Sequence, residues 1–206
     1  MKKLMLAVSA VAIAAVANAG MVKWTISNVY AGNDTDKASG QLYLFNNATI
    51  ASTAIAAAIQ EAWTDGYGTP AVKGANGLKA FLNDKALGKG GTAYTMASST
   101  AGTFSAPSAG VDNSTLGLSG GTSYTLYGVV FDTTVDSFAD STKFYVTSTK
   151  TATTKADTAT TTTTFGIGSQ EAASQVAGNW QTVPEPTSGL LMLLGMAGLA
   201  LRRRRA

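Results

Sequence analysis

Both ends of this chain are short apolar runs with basic residues beside them, and neither pattern suits the core of a globular domain. The fold is therefore confined to the stretch between them. At the N-terminus, Lys2 and Lys3 precede an apolar run over residues 4–16, and Ala17-Asn18-Ala19 places small residues at Ala17 and Ala19. That is the pattern of a secretory signal peptide. Residues 1–19 are expected to be removed after Ala19, leaving Gly20 as the mature N-terminus. At the other end, Val183-Pro184-Glu185-Pro186-Thr187-Ser188 leads into an unbroken apolar run, 189–201, closed by Arg202, Arg203, Arg204 and Arg205. Pro184 and Pro186 have no N–H to give a helix or sheet, so this stretch is expected to be extended and accessible. Arginines beside an apolar helix favour the cytoplasmic side of a membrane, which puts the preceding domain outside. A helix over 189–201, at ~1.5 Å per residue, is roughly 20 Å long, against a hydrocarbon core about 30 Å thick. Such a span suits a brief hold on the membrane better than a durable one.

In order and position, the triplet Pro184-Glu185-Pro186, the apolar run and the cluster Arg202–Arg205 resemble the PEP-CTERM sorting signal of Gram-negative bacteria. The resemblance covers about a tenth of the chain. It implies recognition by an exosortase, a membrane-embedded cysteine protease, with cleavage near the triplet and release toward the cell surface. An ordinary single-span anchor that stays in place is the competing reading. The expected route is the Sec translocon and signal peptidase, then transient anchoring in the inner membrane, then the cell surface or the extracellular space. Three segments follow: a signal peptide (1–19), an exported β-rich domain (20–182) and a sorting tail (183–206).

Removing both ends changes the charge. The chain as a whole carries +3, but Lys2, Lys3 and all four arginines are terminal. Between Gly20 and Val183 nine lysines face eleven acids, a net charge of −2. No basic patch is left to follow a phosphate backbone, so no nucleic-acid partner is expected. Cysteine and histidine are absent. That excludes disulfides, thiol nucleophiles, a Ser-His-Asp triad and the common zinc sites. No cofactor and no metal is expected, and any catalysis would fall to carboxylates, lysine, tyrosine or hydroxyls.

The body reads as mainly β. Residues 21–30 alternate, with Val22, Trp24, Ile26 and Asn28 on one side. Residues 41–46 carry Leu42, Tyr43, Leu44 and Phe45, a strand buried on both faces. Residues 124–131 combine β-branched and aromatic side chains and are the strongest strand candidate. Residues 143–149 form another, with 132–140 as a polar connection, and 92–98 and 158–166 carry weaker strand patterns. A helix is expected over 54–63, capped by Ser52 or Thr53 and stopped at Gly66, with Ile55, Ile59 and Trp63 in one apolar stripe flanked by Ala58 and Ala62. A second is expected over 76–87, with Leu78, Phe81 and Leu82 on one face. A third, over 170–180, would start at Gly166 or Gly168 and tuck in Val176 and Trp180. The sum is one β-sandwich-like or curved-sheet domain with small edge helices, between an N-terminal signal peptide and a C-terminal hydrophobic sorting helix.

Residues 147–164 are rich in threonine. A final hairpin turning at Lys155-Ala156-Asp157 is the favoured reading, beside a flexible linker and a set of O-glycosylation acceptors. Asn33, Asn47 and Asn113 begin N-glycosylation triplets, which arise by chance in a chain rich in Asn and Thr and carry no weight, since most bacteria lack the pathway. Asp34 and Asp36 start like a calcium loop, but Ala38 and Phe45 stand where ligands belong. Asp132, Asp136 and Asp140, four apart, could meet on calcium, and a solvated loop is the favoured alternative. Glu61, Asp65 or Asp132 could serve a paired-carboxylate glycosidase, and Trp24, Tyr67 or Tyr127 could stack on sugars, although a core role explains Trp24 and Tyr127 equally well. The expected function is non-enzymatic: an exported surface or matrix protein with a structural or adhesive role. A carbohydrate-binding module, with exopolysaccharide as candidate partner, is the alternative, followed by a carboxylate-only glycoside hydrolase.

Overall fold

Leu42-Tyr43-Leu44-Phe45 is apolar at every position, and a strand of that kind needs cover on both faces. The computed structural model, which describes residues 20–26, 29, 40–95, 103–107, 109–167 and 180–183, supplies that cover. Strand β2 (Gln41–Asn46) pairs antiparallel with β6 (Ser123–Phe131), with Leu44 opposite Gly128. Because side chains alternate along a strand, Leu42, Leu44, Leu126 and Val130 enter one core, and Tyr43, Phe45, Tyr127, Val129 and Phe131 enter another.

The first core lies between two sheets. Facing β2 and β6 is a sheet centred on β1 (Met21–Ile26), whose Val22, Trp24 and Ile26 are buried as the alternation predicts. Along one edge β1 pairs antiparallel with β4 (Phe104–Ser105) and β5 (Val111–Asp112). Its other edge takes β9 (Thr162–Phe165) in parallel, with Trp24 opposite Phe165. The larger sheet adds β3 (Ala93–Thr95) beside β2, and β7 (Lys143–Val146) and β8 (Lys150–Thr153) beside β6. Strands β7 and β8 share one edge of β6, and between them Thr147 holds the chain in place. Its Oγ1 accepts the Gly128 N–H at 2.9 Å and donates to the Ser148 carbonyl at 3.1 Å. Such an interruption re-aims a strand without ending it.

The second core lies under two helices, α1 (Ile55–Thr64) and α2 (Gly74–Lys85). Helix α1 buries Ile55, Ile59, Ala62 and Trp63, the predicted stripe, and α2 buries Leu78, Phe81 and Leu82. Its Gly77 is needed for close approach: a Cβ there would lie 2.2 Å from the Ala62 carbonyl oxygen and 2.3 Å from that of Val72. The architecture is mainly β, with ten strands in two sheets among the described residues and two small helices covering the outer face of the larger sheet. Three layers, β on β on α, enclose the two cores.

Several local expectations change. The N-cap of α1 is Ala54, without a side-chain cap bond. Ser52 and Thr53 precede that position, and the Ser52 N–H is bound by Asn47 Oδ1 at 2.8 Å. Helix α2 starts and ends two residues earlier than its apolar pattern suggested. The threonine-rich stretch is neither a hairpin nor a linker: β8 pairs with β6, while β9 crosses to the other sheet and pairs with β1. Hydroxyls brace that crossing. Thr163 Oγ1 accepts the Lys155 N–H at 3.0 Å and donates to the Thr153 carbonyl at 3.2 Å. Thr154 Oγ1 accepts the Thr122 N–H at 3.1 Å and donates to the Ser119 carbonyl at 2.7 Å. Thr147, Thr154 and Thr163 are buried, so they are not surface acceptors for glycans, whereas Thr151, Thr158 and Thr160 are exposed. The span expected as a third helix lies outside the described residues except for Trp180, as do Asn28, Asn33, Asp34, Asp36 and Ala38.

Candidate functional site

Where the tail leaves the body is the best-defined feature that bears on function. A short strand, β10 (Gln181–Thr182), pairs antiparallel with the outer edge of β7, with Gln181 opposite Phe144 and Thr182 opposite Lys143. The next residue, Val183, donates its N–H to the Thr142 carbonyl at 3.0 Å and is 0% exposed within the helix-side core. Just before the strand, the Trp180 ring lies 6.0 Å from that of Tyr145, packed against the core between the sheets. Residues 180–183 thus root the chain in both cores. A two-residue strand has no periodicity to read, and nothing local marks it. Ala17, Ala19, Pro184, Glu185, Pro186, Arg202, Arg203, Arg204 and Arg205 lie outside the described residues. Among the described residues, no helix is long and apolar enough to cross a membrane.

Comparison with known families bears directly on this terminus. Residues 182–205 match the PEP-CTERM protein-sorting motif. The chain carries that motif at its C-terminus. The PEP-CTERM motif marks an exported protein sorted by an exosortase toward the surface, with the exosortase as its processing partner. Its match begins at Thr182, inside β10, so the PEP-CTERM motif and the folded body overlap by two residues, Thr182 and Val183. Neither a curated protein nor a solved structure matches the chain.

The other candidate residues are dispersed. Asp132, Asp136 and Asp140 do not converge: Asp132 Oδ1 accepts the Lys143 N–H at 2.9 Å, Asp136 pairs with Lys79 at 3.3 Å, and Asp140 is exposed. Among the described residues, no three acids are placed to share a metal ion. Glu61 and Asp65 are exposed at the end of α1. Trp24 and Tyr127 are core residues, and the Tyr127 hydroxyl donates to the Ile50 carbonyl at 2.9 Å. Tyr67 donates its hydroxyl to Asp84, which Lys85 also pairs at 2.9 Å. The Tyr67 bond, with Lys85 second, holds the Asp84 carboxyl below its ordinary value. Asp84 borders an open surface recess of about 360 Å³, together with Lys85, Gly88, Ser114 and Thr115. It is the single acid on that lining, and two-carboxylate hydrolysis needs a pair. Among the described residues every aromatic is buried or half-buried, so they form no exposed stacking platform. Asn113, which begins one glycosylation triplet, is fully buried.

Asp132 gives a prediction with a definite sign. Burial pushes its carboxyl up, outweighing the Lys143 N–H bond that pulls it down. A group with a raised folded pKa stabilises the fold below its unfolded pKa, and that contribution is lost as pH rises through the folded pKa. Asp132→Asn keeps the acceptor and removes the desolvated charge, so its stability relative to the parent protein should rise as pH increases through the range in which the carboxyl ionises. Asp132→Ala leaves the Lys143 N–H without its partner and should cost about 1–2 kcal/mol. Urea unfolding at several pH values checks both.

Proposed function

We propose that this chain is a non-enzymatic β-domain exported for a structural or adhesive role at the cell surface or in the extracellular matrix. The Sec translocon and signal peptidase handle residues 1–19. The apolar run 189–201, with Arg202–Arg205 inside, then holds the domain at the inner membrane until the exosortase cuts near Pro184-Glu185-Pro186. One observation carries the separable-tail reading: Val183 is buried in the core and Pro184 follows it directly. A cut at or after the triplet leaves every described core residue on the body. The body's surface supports the structural reading, with scattered acids and no exposed aromatic face among the described residues.

Deleting Pro184-Glu185-Pro186 should leave the chain at full C-terminal length in the inner-membrane fraction, while the parent protein is found outside the cell. Equal release of both chains would refute the sorting role of the triplet.

A further inference from the structure

Gly20, the residue expected at the mature N-terminus, is buried at the start of β1, and its carbonyl accepts the Asn113 N–H at 2.9 Å. A side chain at this position would begin 2.4 Å from the Lys155 carbonyl oxygen, 2.9 Å from that of Ala156 and 2.9 Å from Asn113 Nδ2. Only glycine fits against this row of groups. Asn113 is itself fully buried. Its Nδ2 donates to the Lys155 carbonyl at 3.0 Å and to Asp157 Oδ1 at 3.2 Å. Both bonds require nitrogen at that position, so the amide orientation is fixed. The other amide atom, Asn113 Oδ1, is buried without a hydrogen-bond partner among the described residues. Buried acceptors are normally satisfied, and an orphan calls for a donor.

We propose that this cluster is the binding site for the chain's own α-ammonium, and that removal of the leader completes it. The proposal rests on cleavage after Ala19. Hydrolysis of the Ala19–Gly20 peptide bond consumes one water and leaves a carboxylate on Ala19 and an ammonium on Gly20. The amide at Gly20 had one donor; the ammonium has three and a positive charge. Asn113 Oδ1, the Lys155 and Ala156 carbonyls and the Asp157 carboxylate are all acceptors, and Asp157 supplies the opposite charge. An ammonium held there fixes the end of β1 where Met21 meets both Asp112 of β5 and Thr162 of β9.

The test uses the full chain, exported and processed by its own cells. Intact mass first establishes the N-terminal residue. Acylation of amines, read by peptide mass spectrometry, then compares the Gly20 α-amine in the folded protein and in denaturant. The folded α-amine should react at least about tenfold more slowly. A chain with one alanine inserted between Ala19 and Gly20 should lose that protection and melt at least ~3 °C lower. Asn113→Ala should also lose it, and if that variant does not fold, the insertion still decides. A Gly20 amine that reacts as fast folded as unfolded, or an inserted chain with unchanged protection and melting, overturns the site alone. A mature protein that begins elsewhere than Gly20 overturns the processing reading and this site with it.

Discussion

Replacing Val183 with aspartate is expected to destabilise the body severely, whereas a chain that ends at Pro186 should be as stable as the full-length one. Val183 is fully buried and its N–H is bonded to the Thr142 carbonyl. Trimming it to alanine removes two buried methyl groups and should cost about 2 kcal/mol. An aspartate there would place an unpaired carboxylate in an apolar core and should cost ~4 kcal/mol or more. Domains of this size have only ~5–15 kcal/mol of stability in total, so the second change is severe. Chemical denaturation of the parent, the chain ending at Pro186 and the two Val183 variants gives the comparison. A Val183→Asp chain as stable as the parent would mean that residues 181–183 do not belong to the fold, and the boundary drawn at Val183 would be wrong.

Gly77→Ala separates two effects of opposite sign. Alanine is the better helix former by about 1 kcal/mol, so propensity alone predicts a gain. Packing predicts a loss, because the new Cβ would lie 2.2 Å from the Ala62 carbonyl and 2.3 Å from the Val72 carbonyl. These are backbone atoms and cannot rotate away, so α2 must move off α1. Overpacking of this kind costs ~1–3 kcal/mol or more, and the expected net result is destabilisation by about 2 kcal/mol. The neighbouring Asn76 is exposed on the same helix, and Asn76→Ala should gain ~0.5 kcal/mol from propensity alone. If both substitutions stabilise the protein, the close approach of the two helices is wrong.

What could be read from the sequence depended on the range of the signal. The apolar run in β2, the alternation in β1 and the stripe of Ile55, Ile59 and Trp63 are periodic over several residues, and each appears where expected. The paired residues of β4, β5 and β10 are too few to carry a period, and they form strands only because a longer strand offers an edge. The chain turns next to Lys155-Ala156-Asp157, the Ala159 N–H bonding to the Ala156 carbonyl at 2.8 Å, but the hairpin expected there failed for a related reason. Threonine favours extended backbone but does not choose a partner, and here β9 joins β1 across the sandwich while β8 stays with β6. The sorting motif was legible because its parts are local and in fixed order. Its root was not, because the burial of Val183 depends on β7, distant in the chain. Asn113 and Gly20 meet for the same kind of reason, and nothing local at either residue announces it.

The C-terminal residue of the protein recovered outside the cell, read by intact mass, bears most directly on the claim that the tail is separable. The account predicts a chain that retains Val183 and ends within a few residues of Pro186, with the apolar run and Arg202–Arg205 gone. Extracellular protein that still carries Ala206 would contradict it.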